Sequence, residues 1–237
     1  MDRKLKDIKQ KWNFESTKFP KPLSWISKDW GITMYEDQYY IVDKVFSDDT
    51  LYLKATKTTA KRKYGYKKLE HGEAPLFFEN AYKDRDIKLG KVRAIKSAHM
   101  NITHLIVDDD IKEKIDDFDI SNFQFYPAVI VDDGGDCHEN FWFFNIFGRI
   151  DALDLEGSLI EDYDRESNDH DVERFKLKKD VLDAIDEEKR LIFMMPNLDR
   201  KITFVHQRIV NIFNELKIDT INFHRLSEWT MGDQYIV

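Results

Sequence analysis

Seven apolar residues of this chain recur, without a gap, at a single offset. Val107, Ile111, Ile115, Phe118, Ile120, Phe123 and Phe125 are answered 98 positions later by Val205, Ile209, Phe213, Leu216, Ile218, Ile221 and Phe223. In each copy apolar residues at four- and three-residue spacing line one face of a short helix, and an aromatic run suited to a strand follows. The pattern predicts a strand, a helix of two to three turns and a second strand, written twice. Residues 175–193, FKLKKDVLDAIDEEKRLIF, form a shorter candidate third copy. Two matches are too few for a solenoid, and any amphipathic helix before a strand matches in part by chance. True duplication therefore stands beside simple recurrence of a common unit. On either reading the fold class is α+β, a mixed sheet with short helices.

Other segments add strands. FQFYPAVIV (123–131) and FWFFNIF (141–147) read as a hairpin around Asp132, Asp133, Gly134, Gly135 and Asp136, where glycine supplies the positive φ of the turn. Side chains alternate along a strand, so Trp142 and Phe144 should share one face and Phe141 and Phe143 the other. YYIVDKVFSDDTLYLKATK (39–57) predicts a second hairpin, around SDDT. The first thirty residues, with Pro20, Pro22, Trp12, Trp25 and Trp30, show no period and read as an irregular arm laid on by its aromatic side chains. The expected division is an arm and basic β-rich lobe over 1–100 and an α+β core over 101–237. One continuous domain is the alternative, since 237 residues lie within reach of a single core.

Charge is segregated along the chain. Residues 1–104 hold 22 Lys and Arg against 14 Asp and Glu, a net of +8, whereas residues 105–171 hold 4 against 20, a net of −16. The last segment, 172–237, balances 11 against 11. A concentrated acidic block repels nucleic acid and attracts basic partners, so direct nucleic-acid binding is disfavoured unless the basic lobe acts alone. Within that lobe Lys61, Arg62, Lys63, Lys67 and Lys68 read as a solvated surface, with a phosphate or acidic-partner patch as the rival reading. No run approaches the ~18 apolar residues of a membrane span, and MDRKLKDIKQKWNF has no secretory apolar region, so a cytoplasmic protein without membrane contact is expected.

Chemistry-bearing patterns are sparse. The lone Cys137 excludes an intrachain disulfide and a thiol-rich zinc site. Asp108, Asp109 and Asp110 could hold a hard cation, but their place before a helix suits capping of free N–H groups better. DDGGD lacks the spaced ligands of a calcium loop. Cys137 and His138, adjacent on a strand, point to opposite faces and make a poor nucleophile and base. His99, His104, His170 and His206 are scattered, without HExxH spacing, and no phosphate-binding or nucleophile-elbow glycine motif occurs. No catalytic residue, metal or cofactor is expected from this.

Three stretches, ITHLIVDDDIKEKIDDFDISNFQFYPAVIV (102–131), FWFFNIFGRIDALDLEGS (141–158) and ITFVHQRIVNIFNELKIDTINF (202–223), resemble the type-eleven immunity family of polymorphic toxin systems. The matching marks are FYP and an Asn145 … Asp151, Ala152, Leu153, Asp154 … Ser158 pattern. The resemblance spans about residues 95–225, with a looser match around Gly72 to Asn80. It implies a cytosolic, non-enzymatic antitoxin that binds a cognate toxin domain, a basic nuclease being one candidate. Its oligomeric state is left open. On the charge pattern, the candidate contact residues are Asp132, Asp133, Asp136 and Glu139 at one hairpin end and Glu161, Asp162, Asp164 and Glu166 in the following loop. Trp25 and Trp30 of the arm are the alternative contact. The rival functions are an acidic nucleic-acid-mimic regulator and a hydrolase with a His/carboxylate site.

Overall fold

The computed structural model describes residues 34–232 apart from 46, 48 and 66. Its first half runs α1 (Tyr35–Gln38), β1 (Tyr39–Lys44), β2 (Leu53–Ala55), α2 (Lys57–Ala60), β3 (Leu76–Asn80), α3 (Lys83–Lys88), β4 (Ala98–Asn101), β5 (His104–Asp108) and α4 (Asp109–Asp116). Then come β6 (Phe123–Val131), β7 (Cys137–Ile146), β8 (Leu159–Asp164), β9 (Asp169–Arg174), α5 (Lys179–Asp183), a 3-10 turn (Glu187–Arg190), β10 (Ile192–Met194), β11 (Thr203–His206), α6 (Gln207–Glu215) and β12 (Ile221–Arg225). The chain is α+β, as its periodicities predict.

Both copies of the repeated pattern are realised in register. Helices α4 and α6 begin at Asp109 and Gln207, and strands β6 and β12 at Phe123 and Ile221, each pair separated by the sequence offset. Both helix starts are capped by the preceding side chain. The Asp108 carboxylate accepts from the Ile111 N–H at 3.2 Å, and His206 Nδ1 accepts from the Arg208 N–H at 3.3 Å. This is the capping role expected of the aspartate run.

The two copies also share a strand order. One sheet runs β10-β11-β1-β12, and the other, β2-β3-β6-β7-β5-β4, contains the same arrangement as β4-β5-β7-β6. In each, an antiparallel strand is inserted between the two strands that flank the helix. In the first copy that strand is β7, which follows β6 directly through the DDGGD turn. In the second it is β1, from the opposite end of the described chain.

Helices α4 and α6 share one core with a face of each sheet. Ile111, Ile115, Ile209 and Phe213 pack with Val42, Val107, Phe144 and Val205. Phe118, Phe123, Phe125, Leu216 and Phe223, which the repeated pattern places in the same core, lie only half-buried at its margin. The opposite faces make two further cores. Phe141 and Phe143 belong to one, with Phe78 and Tyr126, while Phe144 and Trp142 face the helices, which is the predicted alternation. Tyr39, Ile41, Phe193 and Phe204 belong to the other, with Leu153, Phe175 and Trp229. The edge strands of the six-stranded sheet are joined by side chains. The Asn101 amide donates to the Leu53 carbonyl at 3.2 Å, and His99 Nδ1 lies 3.4 Å from the Leu51 carbonyl.

Three expectations need correction. The hairpin over 39–57 does not form, because β1 and β2 lie in different sheets. Its alternation suits any partner, and the burial of both faces of Tyr39–Val42 requires a central strand, which a terminal hairpin would not supply. The third copy lacks its first strand: Leu177 makes only an isolated bridge to Leu153. The acidic stretch at 161–166 is not a loop, for Glu161, Asp162 and Asp164 lie in β8, and only Glu166 is in the turn to β9. The described residues belong to one compact unit in which β1 sits between β11 and β12, and β3 between β2 and β6.

Candidate functional site

The family-like marks turn out to be anchors. Asn145, fully buried on β7, accepts the Gly65 N–H through Oδ1 at 2.8 Å and donates through Nδ2 to the Lys67 carbonyl and to Gln124 Oε1, each at 2.9 Å. Gln124, its cross-strand neighbour, accepts from the Leu69 N–H and donates to the Leu69 carbonyl. Together they pin the backbone of Gly65, Lys67 and Leu69 to the sheet, while the Lys67 and Lys68 side chains stay exposed. Glycine is required at 65, where φ is +75° and a Cβ would lie 2.8 Å from His104 Nε2. In the DALD segment, Asp154 Oδ1 accepts from the Glu156 and Gly157 N–H groups, while Ser158 Oγ accepts from the Lys176 N–H at 2.9 Å. Ala152 and Leu153 are buried.

The histidines are built into the frame. His99 Nε2 accepts from the Lys96 N–H, so its proton sits on Nδ1 facing Leu51; His104 sets Nδ1 3.2 Å from the Phe144 carbonyl. Burial pushes both down to about 4 and keeps them neutral. His206 is also lowered by burial. His138 lies 3.2 Å from the Asp132 carboxylate at the hairpin turn, beside an exposed Cys137. Among the described residues, no group of three or more His, Cys, Asp or Glu is placed to hold a metal, and no helix is long and apolar enough to cross a membrane.

The acidic residues fall on two hairpins in different sheets. At the β6–β7 end, Asp132, Asp136 and His138 converge: the Asp132 carboxylate accepts the Asp136 N–H at 2.9 Å, and His138 first, then the backbone N–H groups of Asp136, Gly134 and Gly135, hold it below the usual carboxylate range. Asp133 accepts from the Asn80 amide at 3.1 Å, and Glu139 is exposed. Strand β8 is exposed along most of its length, β9 is half-buried, and the ladder between them carries like charges face to face. Its register sets Asp162 opposite Asp171 and Asp164 opposite Asp169, around the stacked pair Tyr163 and His170. Asp164 folds the turn by accepting from the Glu166 N–H and the Ser167 hydroxyl, and Asn168 follows at φ +60°. Among the described residues, no carboxylate between Glu161 and Glu173 forms an ion pair. A cleft of about 610 Å³ lies beside this hairpin, walled by Ile41, Val172, Phe175 and Trp229, its polar side carrying Asp43, Asp171 and Asp199 together with Lys44, Arg200 and Lys201. Trp25 and Trp30 lie outside the described residues.

A model of the immunity protein family (Imm11) matches residues 48–228. The chain belongs to the Imm11 immunity family. No curated protein is matched by the chain. The family match reaches further toward the N-terminus than the 95–225 over which the sequence resembles the family, and it takes in β2, β3 and α3 as well as both acidic hairpins. The immunity fold thus includes the 65–69 loop that Asn145 pins. Sequence reasoning missed the cross-strand aspartate pairs, because opposed charges become visible only once the β8–β9 register is known.

Proposed function

We propose that this immunity-family chain binds a cognate toxin, a basic nuclease being the candidate, and blocks it by protein–protein contact in the cytoplasm, without a cofactor or chemistry of its own. The carrying observation is the pairing of Asp162 with Asp171 and of Asp164 with Asp169. Like charges directly opposed on a ladder are destabilising, and folding alone gives no reason to keep two such pairs side by side. A basic partner does. Together with Glu161 and Glu166 they form a negative field that draws a positive cleft, and the hairpin holds them without cations of its own paired to them. The turn at Asp132, Asp133, Asp136 and Glu139 is the second contact in this reading.

Electrostatic steering of this kind raises association rates by ~10–1000-fold at low salt. The test is stopped-flow association with the toxin domain encoded beside the gene. Changing Glu161, Asp162 and Glu166 together to Lys, which spares the Asp164 turn, should slow association and flatten its dependence on ionic strength without lowering the melting temperature. Unchanged rates and salt slope would return the hairpin to plain solvation. Protection of toxin-expressing cells by an Ala variant of Cys137, His138 and His206 tests the non-enzymatic part: loss of protection in a folded protein would favour the hydrolase reading.

A further inference from the structure

The segment after β3 breaks a surface rule. Between Lys83 and Arg93, otherwise rich in charge, Ile87, Leu89 and Val92 are 57%, 70% and 89% exposed. Scattered exposed apolar residues are ordinary, but three within six positions on one short connection are not.

Nor is this connection loose. Helix α3 ends in two reverse bonds, Lys91 N–H to the Asp86 carbonyl at 2.8 Å and Gly90 N–H to the Ile87 carbonyl at 3.1 Å, with Gly90 at φ +62°. This is the Schellman arrangement, in which a glycine supplies the left-handed residue. Its customary apolar contact would join positions 86 and 91, here aspartate and lysine, so the apolar side chains are left facing out. Beneath them Asp86 and Arg93, both fully buried, close the connection with a two-pronged ion pair at 2.5 and 3.1 Å, and Arg93 also donates to the Thr50 carbonyl at 2.7 Å. Arg93 pulls the Asp86 carboxyl down to about 2. The apolar residues are therefore displayed on a frame whose ordering is complete before any partner arrives, which lowers the entropic cost of binding.

The frame is tied to the acidic turn. Asn80 donates from one amide to both Asp86 (3.0 Å) and Asp133 (3.1 Å). Between Val92 and that turn lies a cleft of about 620 Å³ with Asp108, Asp132 and Asp133 on its wall. The cations on the same wall are engaged elsewhere, Arg93 by Asp86 and Lys96 by Asp219 at 2.7 Å. Asp133 Oδ1 is buried without a donor.

We infer that Ile87, Leu89 and Val92 are the anchor of the toxin interface, seated in an apolar depression of the toxin whose rim supplies a lysine or arginine to the cleft beside Asp133. This rests on the immunity reading and deepens it: the β8–β9 hairpin governs approach, and the clamped connection governs residence. A second copy of this chain fits less well, because a two-fold contact here brings the Asp132 turn toward its own image.

The experiment measures association and dissociation separately, against the toxin domain encoded beside the gene, for wild type, Leu89→Asp with Val92→Asp, and Ile102→Asp, a comparably exposed control at 80% on the β4–β5 turn. The double variant should leave melting unchanged and association no slower, and speed dissociation by about 1000-fold, the scale of two interface hot spots; the control should dissociate as wild type does. Unchanged dissociation overturns the anchor while leaving the immunity reading in place. Equal damage from Ile102→Asp does the same, as does a double variant that only dissolves a homodimer. Absence of wild-type binding overturns the immunity reading, and the anchor with it.

Discussion

Lowering the pH from 7.5 to 5.0 should destabilise this protein by about 4 kcal/mol through two histidines alone. His99 and His104 are buried, lack a carboxylate partner, and sit at about 4 in the fold, against ~6.5 when unfolded. A folded value below the unfolded one means that the unfolded chain binds more protons between the two. Stability is thus full above pH ~6.5 and declines as pH falls toward 4. At pH 5 the unfolded imidazole is almost wholly protonated while the folded one is mostly neutral, a difference of about 2 kcal/mol for each. His206, lowered by burial, adds in the same direction; Asp43, raised by burial, opposes near the carboxylate range. Asp86, held at about 2, loses its contribution only below the window. Urea unfolding at both pH values is the assay. His99→Asn and His104→Asn each keep a side-chain N–H able to reach the same carbonyl, and each should remove about half of the pH-dependent loss, whatever it costs at neutral pH. A wild-type loss under about 1 kcal/mol, or a loss that both variants retain in full, would refute the burial argument.

Phe213, 1% exposed between the two helices, should cost about 3–5 kcal/mol as Phe213→Ala in thermal unfolding, through lost transfer energy and the cavity left behind. Asn145→Ala strands the Gly65 N–H and the Lys67 carbonyl, so a loss of about 2–3 kcal/mol and new trypsin cleavage at Lys67 and Lys68 are expected. Asp171→Asn relieves the face-to-face repulsion with Asp162, so it should raise stability by ~0.2–1 kcal/mol while slowing association with the toxin; a lowered melting temperature would count against the repulsion.

What could be read from the sequence was whatever one segment decides for itself. The 123–147 hairpin was legible because each strand alternates two apolar faces around a glycine turn, and both helix starts were legible because a capping side chain acts within three residues. The partner of β1 was not, since its alternation fits any neighbour and those it finds lie near residues 205 and 223. The β8–β9 ladder was hidden by its own charge, because a run of exposed aspartates has no apolar face to mark a strand. The clamp between Asp86 and Arg93 was hidden for a related reason: in a stretch of alternating charges, nothing local distinguishes the pair that will be buried from the ones left in water.

The place of β1 also sets a schedule for synthesis. Leaving the ribosome early, this strand waits unpaired while everything from β2 to β10 is made, for β11 and β12 close around it only when translation passes residue 225. At the ~5–20 residues per second typical of elongation, that wait is roughly ten to forty seconds. The first unit, whose inserted strand follows its neighbour at once, has no such delay. A nascent chain thus carries an orphan strand from β1 onward, joined by one finished sheet only after β7 ends at Ile146, and a chain truncated before β11 leaves Tyr39–Val42 with no cognate edge to join.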